Sequence, residues 1–278
     1  MLTVESEKDL GTSKMELILE KIAMPSPMAC LPRPRLQAIL EQSLSSCTST
    51  ILSGRAGTGK TSLAIDFAEN SGRSVAWYKV DAPDSELLIF FQYLIASISK
   101  QRLGFGGALL PLLWSATPDR MPLVAEAFVY ELEREAGKPL LVVIEDLHLV
   151  CDADWLVPFF SRLLPLLPSD VHLLITSRTM PPAPLWRMRS KQTLSVIDEE
   201  TLSFTREEAI SLFESYDLSR EQASIALDHS HGRAAALTSL AATLHELESE
   251  SANGTAPISL GNRARVVVTH KLQASQDE

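Results

Sequence analysis

The stretch TSTILSGRAGTGKTSLAIDFAE, residues 48–69, constrains this chain more than any other. A β-branched apolar run enters a glycine-rich loop, and a run with helical spacing leaves it, carrying Leu63, Ala64 and Phe67 on one face. That strand–loop–helix order is the context a phosphate-binding loop needs, and together with the apolar runs that recur along the chain it gives an α/β fold class. Gly54, Gly59, Lys60 and Thr61 also fit the spacing G-x-x-x-x-G-K-[ST]. Glycines let the backbone wrap so that its N–H groups converge on one anion, and the following helix turns the positive end of its dipole toward the same point. The expected phosphate cradle is Gly54, Arg55, Ala56, Gly57, Thr58, Gly59, Lys60, Thr61 and Ser62. Lys60 would bridge two phosphates and the Thr61 hydroxyl would ligate Mg²⁺.

Apolar runs recur near 48–53, 74–80, 139–144 and 171–176, separated by helix-like segments, as buried parallel strands do. DSELLIFFQYLIASISKQ, 84–101, is expected to open a mostly buried helix with Asp84 as its N-cap. RMPLVAEAFVYELEREAG, 120–137, is amphipathic and stops at Gly137, and the glycines and prolines of 101–119 read as a loop. After residue 190 the alternation gives way to helices alone, introduced by two capping boxes, TREE at 205–208 and SREQ at 219–222. The domain reading is therefore a tail or leading helix over 1–27 and a phosphate-binding domain over 28–198. A helical subdomain follows over 199–248, its last helix near 233–247, and then a polar, disordered tail over 249–278.

The formal net charge of −10 opposes a broad grip on a nucleic-acid backbone, so no direct nucleic-acid contact is expected. Apolar runs such as LLIFF at 87–91 are far short of the roughly 20 residues of a membrane span. The first 27 residues lack the pattern of a secretory signal, so a cytoplasmic location is expected. Cys30, Cys47 and Cys151 have no spacing that suggests a disulfide framework or a zinc site.

A phosphate cradle alone hydrolyses nothing; acids at the end of a strand are needed as well. LLVVIEDLH, 140–148, supplies Glu145 and Asp146. Position favours Glu145 for Mg²⁺ and Asp146 for orienting or deprotonating the attacking water, with the reverse assignment open. Glu145 adds a methylene where Mg²⁺ demands near-ideal octahedral geometry, so slow turnover is expected. VHLLITSR brings Arg178 to the C-terminal edge of the sheet as a γ-phosphate sensor, and His148 is a further candidate at the same site. Trp77 and Tyr78 read as core and rim rather than a base-stacking platform. No N-K-x-D element that would read guanine occurs, which leaves ATP as the expected nucleotide.

LPRPRL (31–36), GRAGTGKTSLAIDFA (54–68), VAWYKVDAPDSELLIFFQYLIASI (75–98), LLVVIEDLHLV (140–150), HLLITSRTMPPAPLWRMRSK (172–191), LSFTREEAISLF (202–213) and SHGRAAALTSLA (230–241) together resemble the nucleotide-binding module of MalT-like transcriptional activators. Those activators are STAND-class signal-transduction ATPases. The resemblance implies an ASCE/AAA-like P-loop NTPase with a five-stranded parallel sheet. In it the acid-bearing strand does not adjoin the P-loop strand, and a helical lid follows. It also implies that Arg33 or Arg35 borders the adenine and ribose, and that Glu145, Asp146, His148 and Arg178 occupy the family's acid–histidine and SR positions. The chain departs from the family in carrying Glu145 as the first acid and Arg233 where a tryptophan is common.

Larger members add a winged helix, a superhelical sensor array and a helix-turn-helix, none of which is read in these residues. The resemblance implies an ATP/ADP switch, slowly hydrolysing, that associates with itself or with an effector. A non-hydrolysing scaffold and a P-loop phosphotransferase are the alternatives.

Overall fold

The computed structural model describes residues 17–26, 31–135, 137–191 and 193–252. Five parallel strands, β1 (Ser49–Ser53), β2 (Ser74–Lys79), β3 (Leu140–Glu145), β4 (Val171–Ser177) and β5 (Leu194–Ile197), form one sheet in the order β2-β3-β4-β1-β5. The acid-bearing strand is separated from the P-loop strand by β4, as the resemblance implies. The helices threaded among the strands are α1 (Pro34–Ser46), α2 (Lys60–Asn70), α3 (Leu87–Ser99), α4 (Leu109–Leu113), α5 (Met121–Arg134), α6 (Leu156–Leu163) and α7 (Ala183–Trp186). Four more follow the sheet: α8 (Glu199–Leu202), α9 (Arg206–Glu214), α10 (Arg220–Ser230) and α11 (Ala234–Ala252).

Both faces of the sheet are covered, which is why β3 and β4 are buried at every position and why Leu140–Ile144 of β3 reads as an unbroken apolar run. Along β3 the side chains alternate between the faces. Leu141 and Val143 pack with Leu63, Ala64 and Phe67 of α2, whereas Leu140, Val142 and Ile144 join Phe90, Phe91, Phe128 and Phe159 from α3, α5 and α6. The same period puts Glu145 on the α2 face, beside the helix that leaves the P-loop. A separate core of Phe204, Leu212, Phe213, Leu237, Leu240 and Leu244 holds α9, α10 and α11 together. Both capping boxes are present, Thr205 with Glu208 and Ser219 with Gln222.

Five expectations are corrected. β5 lies in the stretch read as helices alone; it has only four residues and sits at the sheet edge, too short for a periodic signal. Asp84 does not cap α3, which begins at Leu87 after Glu86. Asp84 instead closes a capping box with Asp81 in a short 3-10 turn and is fully buried, where Lys21 Nζ donates to it at 2.6 Å. Lys21 belongs to the segment expected to be a tail or leading helix, yet Leu19–Ile22 is a 3-10 turn packed on β2 and α3 with Ile22 in the core. The loop of 101–119 contains α4, ahead of which the buried Glu131 carboxylate accepts the N–H groups of Gly106 and Ala108. α11 continues to Ala252, beyond the expected end; residues 1–16, Cys30 and the tail from 253 lie outside the described residues.

Candidate functional site

β1 ends at Ser53, and the Gly54 N–H donates to Ser177 O at 3.1 Å, which ties the entry of the loop to the end of β4. Gly57 (φ 77°) and Gly59 (φ 87°) adopt the left-handed conformation that turns the loop back toward α2, and Gly59 is the N-cap of α2. Lys60 is buried, its Nζ donating to Gly54 O at 2.5 Å and Arg55 O at 2.9 Å. Burial lowers its pKa; the Asp146 carboxylate opposes that shift and Arg178 adds to it.

The acids converge on the first turn of α2. Thr61 Oγ1 donates to Glu145 Oε1 at 2.6 Å, and Trp77 Nε1 donates to Glu145 Oε2 at 3.3 Å. Asp146 turns left-handed (φ 60°) immediately after the strand, and its N–H donates to Thr176 Oγ1 of β4 at 3.0 Å. Asp146 Oδ1 lies 3.7 Å from His148 Nδ1, a buried nitrogen without a hydrogen-bond partner. Burial lowers the His148 pKa; Asp146 opposes that shift, and Arg178 and Lys60 lower it further, which favours the neutral ring. Lys60, Asp146, His148 and Arg178 therefore share one electrostatic neighbourhood at the C-terminal edge of the sheet, where open α/β sheets bind ligands.

A cleft of about 780 Å³ opens between the P-loop and the helical subdomain, lined among others by Arg33, Gly57, Ser62, Phe204, Tyr216 and Ala235. Arg33 borders it, but its donors go to Leu202 O (2.7 Å), Ser203 O (2.9 Å) and Glu208 Oε2 (2.9 Å), and its guanidinium lies over the Phe204 ring. Arg35 is engaged in the same way by Thr201 O, Ser203 O and Glu208. The helical subdomain also touches the glycine-rich loop itself. The Ala235 N–H donates to Gly57 O at 2.9 Å, Arg233 Nε donates to Ala56 O at 3.1 Å, and Glu199 accepts from both the backbone and the guanidinium of Arg55.

Residues 33–176 match the model of the AAA ATPase domain. The chain belongs to that family. It is 30% identical over 170 residues to the HTH-type transcriptional regulator MalT of Serratia proteamaculans, covering 59% of this chain and 18% of that protein. It is 28% identical over 236 residues to MalT of Yersinia enterocolitica, covering 82% of this chain and 25% of that protein. The chain thus spans a quarter or less of the length of these curated relatives, and it is a MalT-like nucleotide-binding module. The fold is shared with a signal transduction ATPase with numerous domains that carries a tetratricopeptide repeat sensor, from Pyrococcus horikoshii. That likeness has a TM-score of 0.56 at 18% identity, over 93% of this chain and 34% of the other. A Walker-type ATPase of Pyrococcus abyssi is similar at a TM-score of 0.50 and 13% identity, over 89% and 75%.

Several contacts of this AAA domain escape sequence reasoning. Trp77 reads as core, and it is buried, but its N–H ends on an acid of the site. Period-2 alternation on β2 and β3 could have signalled this, since Trp77 pairs in register with Val143, two residues before Glu145 on the same face. Thr176 and Glu199 carry no motif, Glu208 is legible only as the last residue of the TREE capping box, and the long-range contacts of all three follow from tertiary neighbours. No helix among the described residues is long and apolar enough to cross a membrane.

Proposed function

We propose that this module binds ATP with Mg²⁺ in the cleft, hydrolyses it slowly, and uses the ATP/ADP difference as a switch read by a second copy or an effector. The observation that carries the reading is the Thr61–Glu145 contact of 2.6 Å, made across the sheet between the phosphate cradle and the acid strand. Two oxygen ligands adjacent on an octahedral Mg²⁺ at about 2.0–2.1 Å stand about 2.9 Å apart, so this hydroxyl and carboxylate fit the ion with little movement. Among the described residues no group of three or more His, Cys, Asp or Glu could hold a metal, so phosphate oxygens and water would supply the remaining ligands. When bound, the ion would neutralise charge developing on the β- and γ-phosphates.

The chain's own residues would divide the remaining tasks. The loop N–H groups and Lys60 would grip the phosphates, and Arg178 would answer to the γ-phosphate. Asp146 would orient the attacking water and take its proton as the oxygen bonds to the γ-phosphorus and the bond to the β-phosphate oxygen breaks. The lid contacts through Ala235, Arg233 and Glu199 support a switch, because the subdomain touches the loop whose phosphate load changes. Asp146→Asn is the test: ATP affinity by calorimetry should stay within about threefold while phosphate release drops at least about a hundredfold. Unchanged phosphate release would refute the role given to Asp146.

A further inference from the structure

Glu145 presents two oxygens to two different donors. Oε1 accepts from the Thr61 hydroxyl in the first turn of α2, and Oε2 accepts from the indole of Trp77. Glu145 is 5% exposed and Trp77 2%, so water has little access to either residue. A buried indole N–H without a partner is costly, and its partner here is a charge. The side chains of Val143, Leu63, Ala64 and Phe67, packed in the same core cluster as Trp77, leave the ring little freedom to follow the carboxylate. The indole is the fixed member of the pair.

From this arrangement we infer that Trp77 is a positioning residue, which pins the far oxygen of Glu145 and so aims the near oxygen at the metal and Thr61. The inference rests on the metal role proposed above for Glu145. A glutamate has one more rotatable bond than an aspartate, and a hard octahedral ion tolerates misplaced ligands poorly. Trp77 removes that freedom. An aspartate at 145 is shorter by one C–C bond of about 1.5 Å and would withdraw from the indole N–H. Trp77 and Glu145 therefore act as a unit, in which the indole is useful only with the longer acid.

The test measures ATP affinity by calorimetry in Mg²⁺ and in EDTA for the wild type, Trp77→Phe, Glu145→Asp and the double variant. Trp77→Phe should leave the EDTA affinity within about twofold and reduce the gain conferred by Mg²⁺ by about tenfold, the usual cost of removing a partner that orients a metal ligand. In the Glu145→Asp background the same substitution should change that gain by less than about twofold. The indole ¹⁵N–H resonance of Trp77 in wild-type protein, assigned through its contacts to Val143, should move when Mg²⁺ is added to the ATP-loaded protein. This readout holds even if Trp77→Phe does not fold.

A Mg²⁺ gain equal in wild type and Trp77→Phe, or an indole resonance that Mg²⁺ leaves in place, overturns the inference alone. A wild type that binds ATP in neither condition overturns the nucleotide reading and this inference with it.

Discussion

Glu208→Gln should release the lid from the P-loop. The Glu208 carboxylate accepts Arg33 Nη2 at 2.9 Å, Arg35 Nη2 at 3.2 Å and the Thr205 N–H at 3.0 Å. Burial alone would raise its pKa, but the hydrogen bonds from Arg33, Thr205 and Arg35 outweigh burial and leave it lowered. The Arg33 and Glu208 side chains are 9% and 12% exposed, and removing one member of such a pair costs about 3–5 kcal/mol. Arg35, at 35%, adds less than about 1 kcal/mol. Glutamine keeps the acceptor for the Thr205 N–H, and Leu202 O and Ser203 O still hold Arg33, which places the loss near the lower bound, about 3 kcal/mol.

That loss falls on lid opening rather than on the sheet, whose core is separate. Hydrogen exchange of the Ala235 amide, which donates to Gly57 O, reads the opening directly. Exchange should accelerate about a hundredfold, while the amides of β3 and β4 keep their protection. An Ala235 rate within threefold of wild type would refute the idea that this carboxylate holds the lid. The sign with pH follows from the lowered pKa: the contribution of Glu208 is full above the ordinary glutamate value and is lost as pH falls through the lower folded value.

Gly57→Ala should weaken lid closure by about 1–2 kcal/mol, because the residue sits at φ 77° and a methyl there would lie 2.9 Å from Ala235 Cβ; exchange at Ala235 again reports it. His172 is buried and shares a hydrogen bond with Thr50 Oγ1, and burial followed by the nearby Arg73 holds its pKa down to about 4. Its neutral form is favoured only in the folded protein, so stability is full above the unfolded value of about 6.5 and falls as pH drops toward about 4. Urea unfolding at pH 5 should show a loss of about 2 kcal/mol relative to pH 7 from this group, and His172→Gln should abolish that component.

Much of the fold was legible because the strongest signals are local. The P-loop spacing, the unbroken apolar strands and the two capping boxes each depend on residues within a turn or two of one another. What was lost depends on partners far along the chain. Asp84 looks like a helix N-cap until Lys21 is seen against it, and β5 is recognisable only once β1 stands beside it. At the candidate site, the glycine-rich loop and the acid-ended strand, which meet through Thr61 and Glu145, were legible in the sequence. The Trp77 contact was not, since burial describes a core residue, and alternation sets Trp77 on the Glu145 face only once the β2–β3 register is known.

The most direct measurement is calorimetric titration of the wild-type chain with ATP and with ADP in the presence of Mg²⁺, beside Lys60→Ala. The account predicts saturable single-site heat for the wild type and none for Lys60→Ala, whose Nζ sits within reach of Gly54 O and Arg55 O at the cradle. Folded wild-type protein that gives no heat with either nucleotide would contradict it.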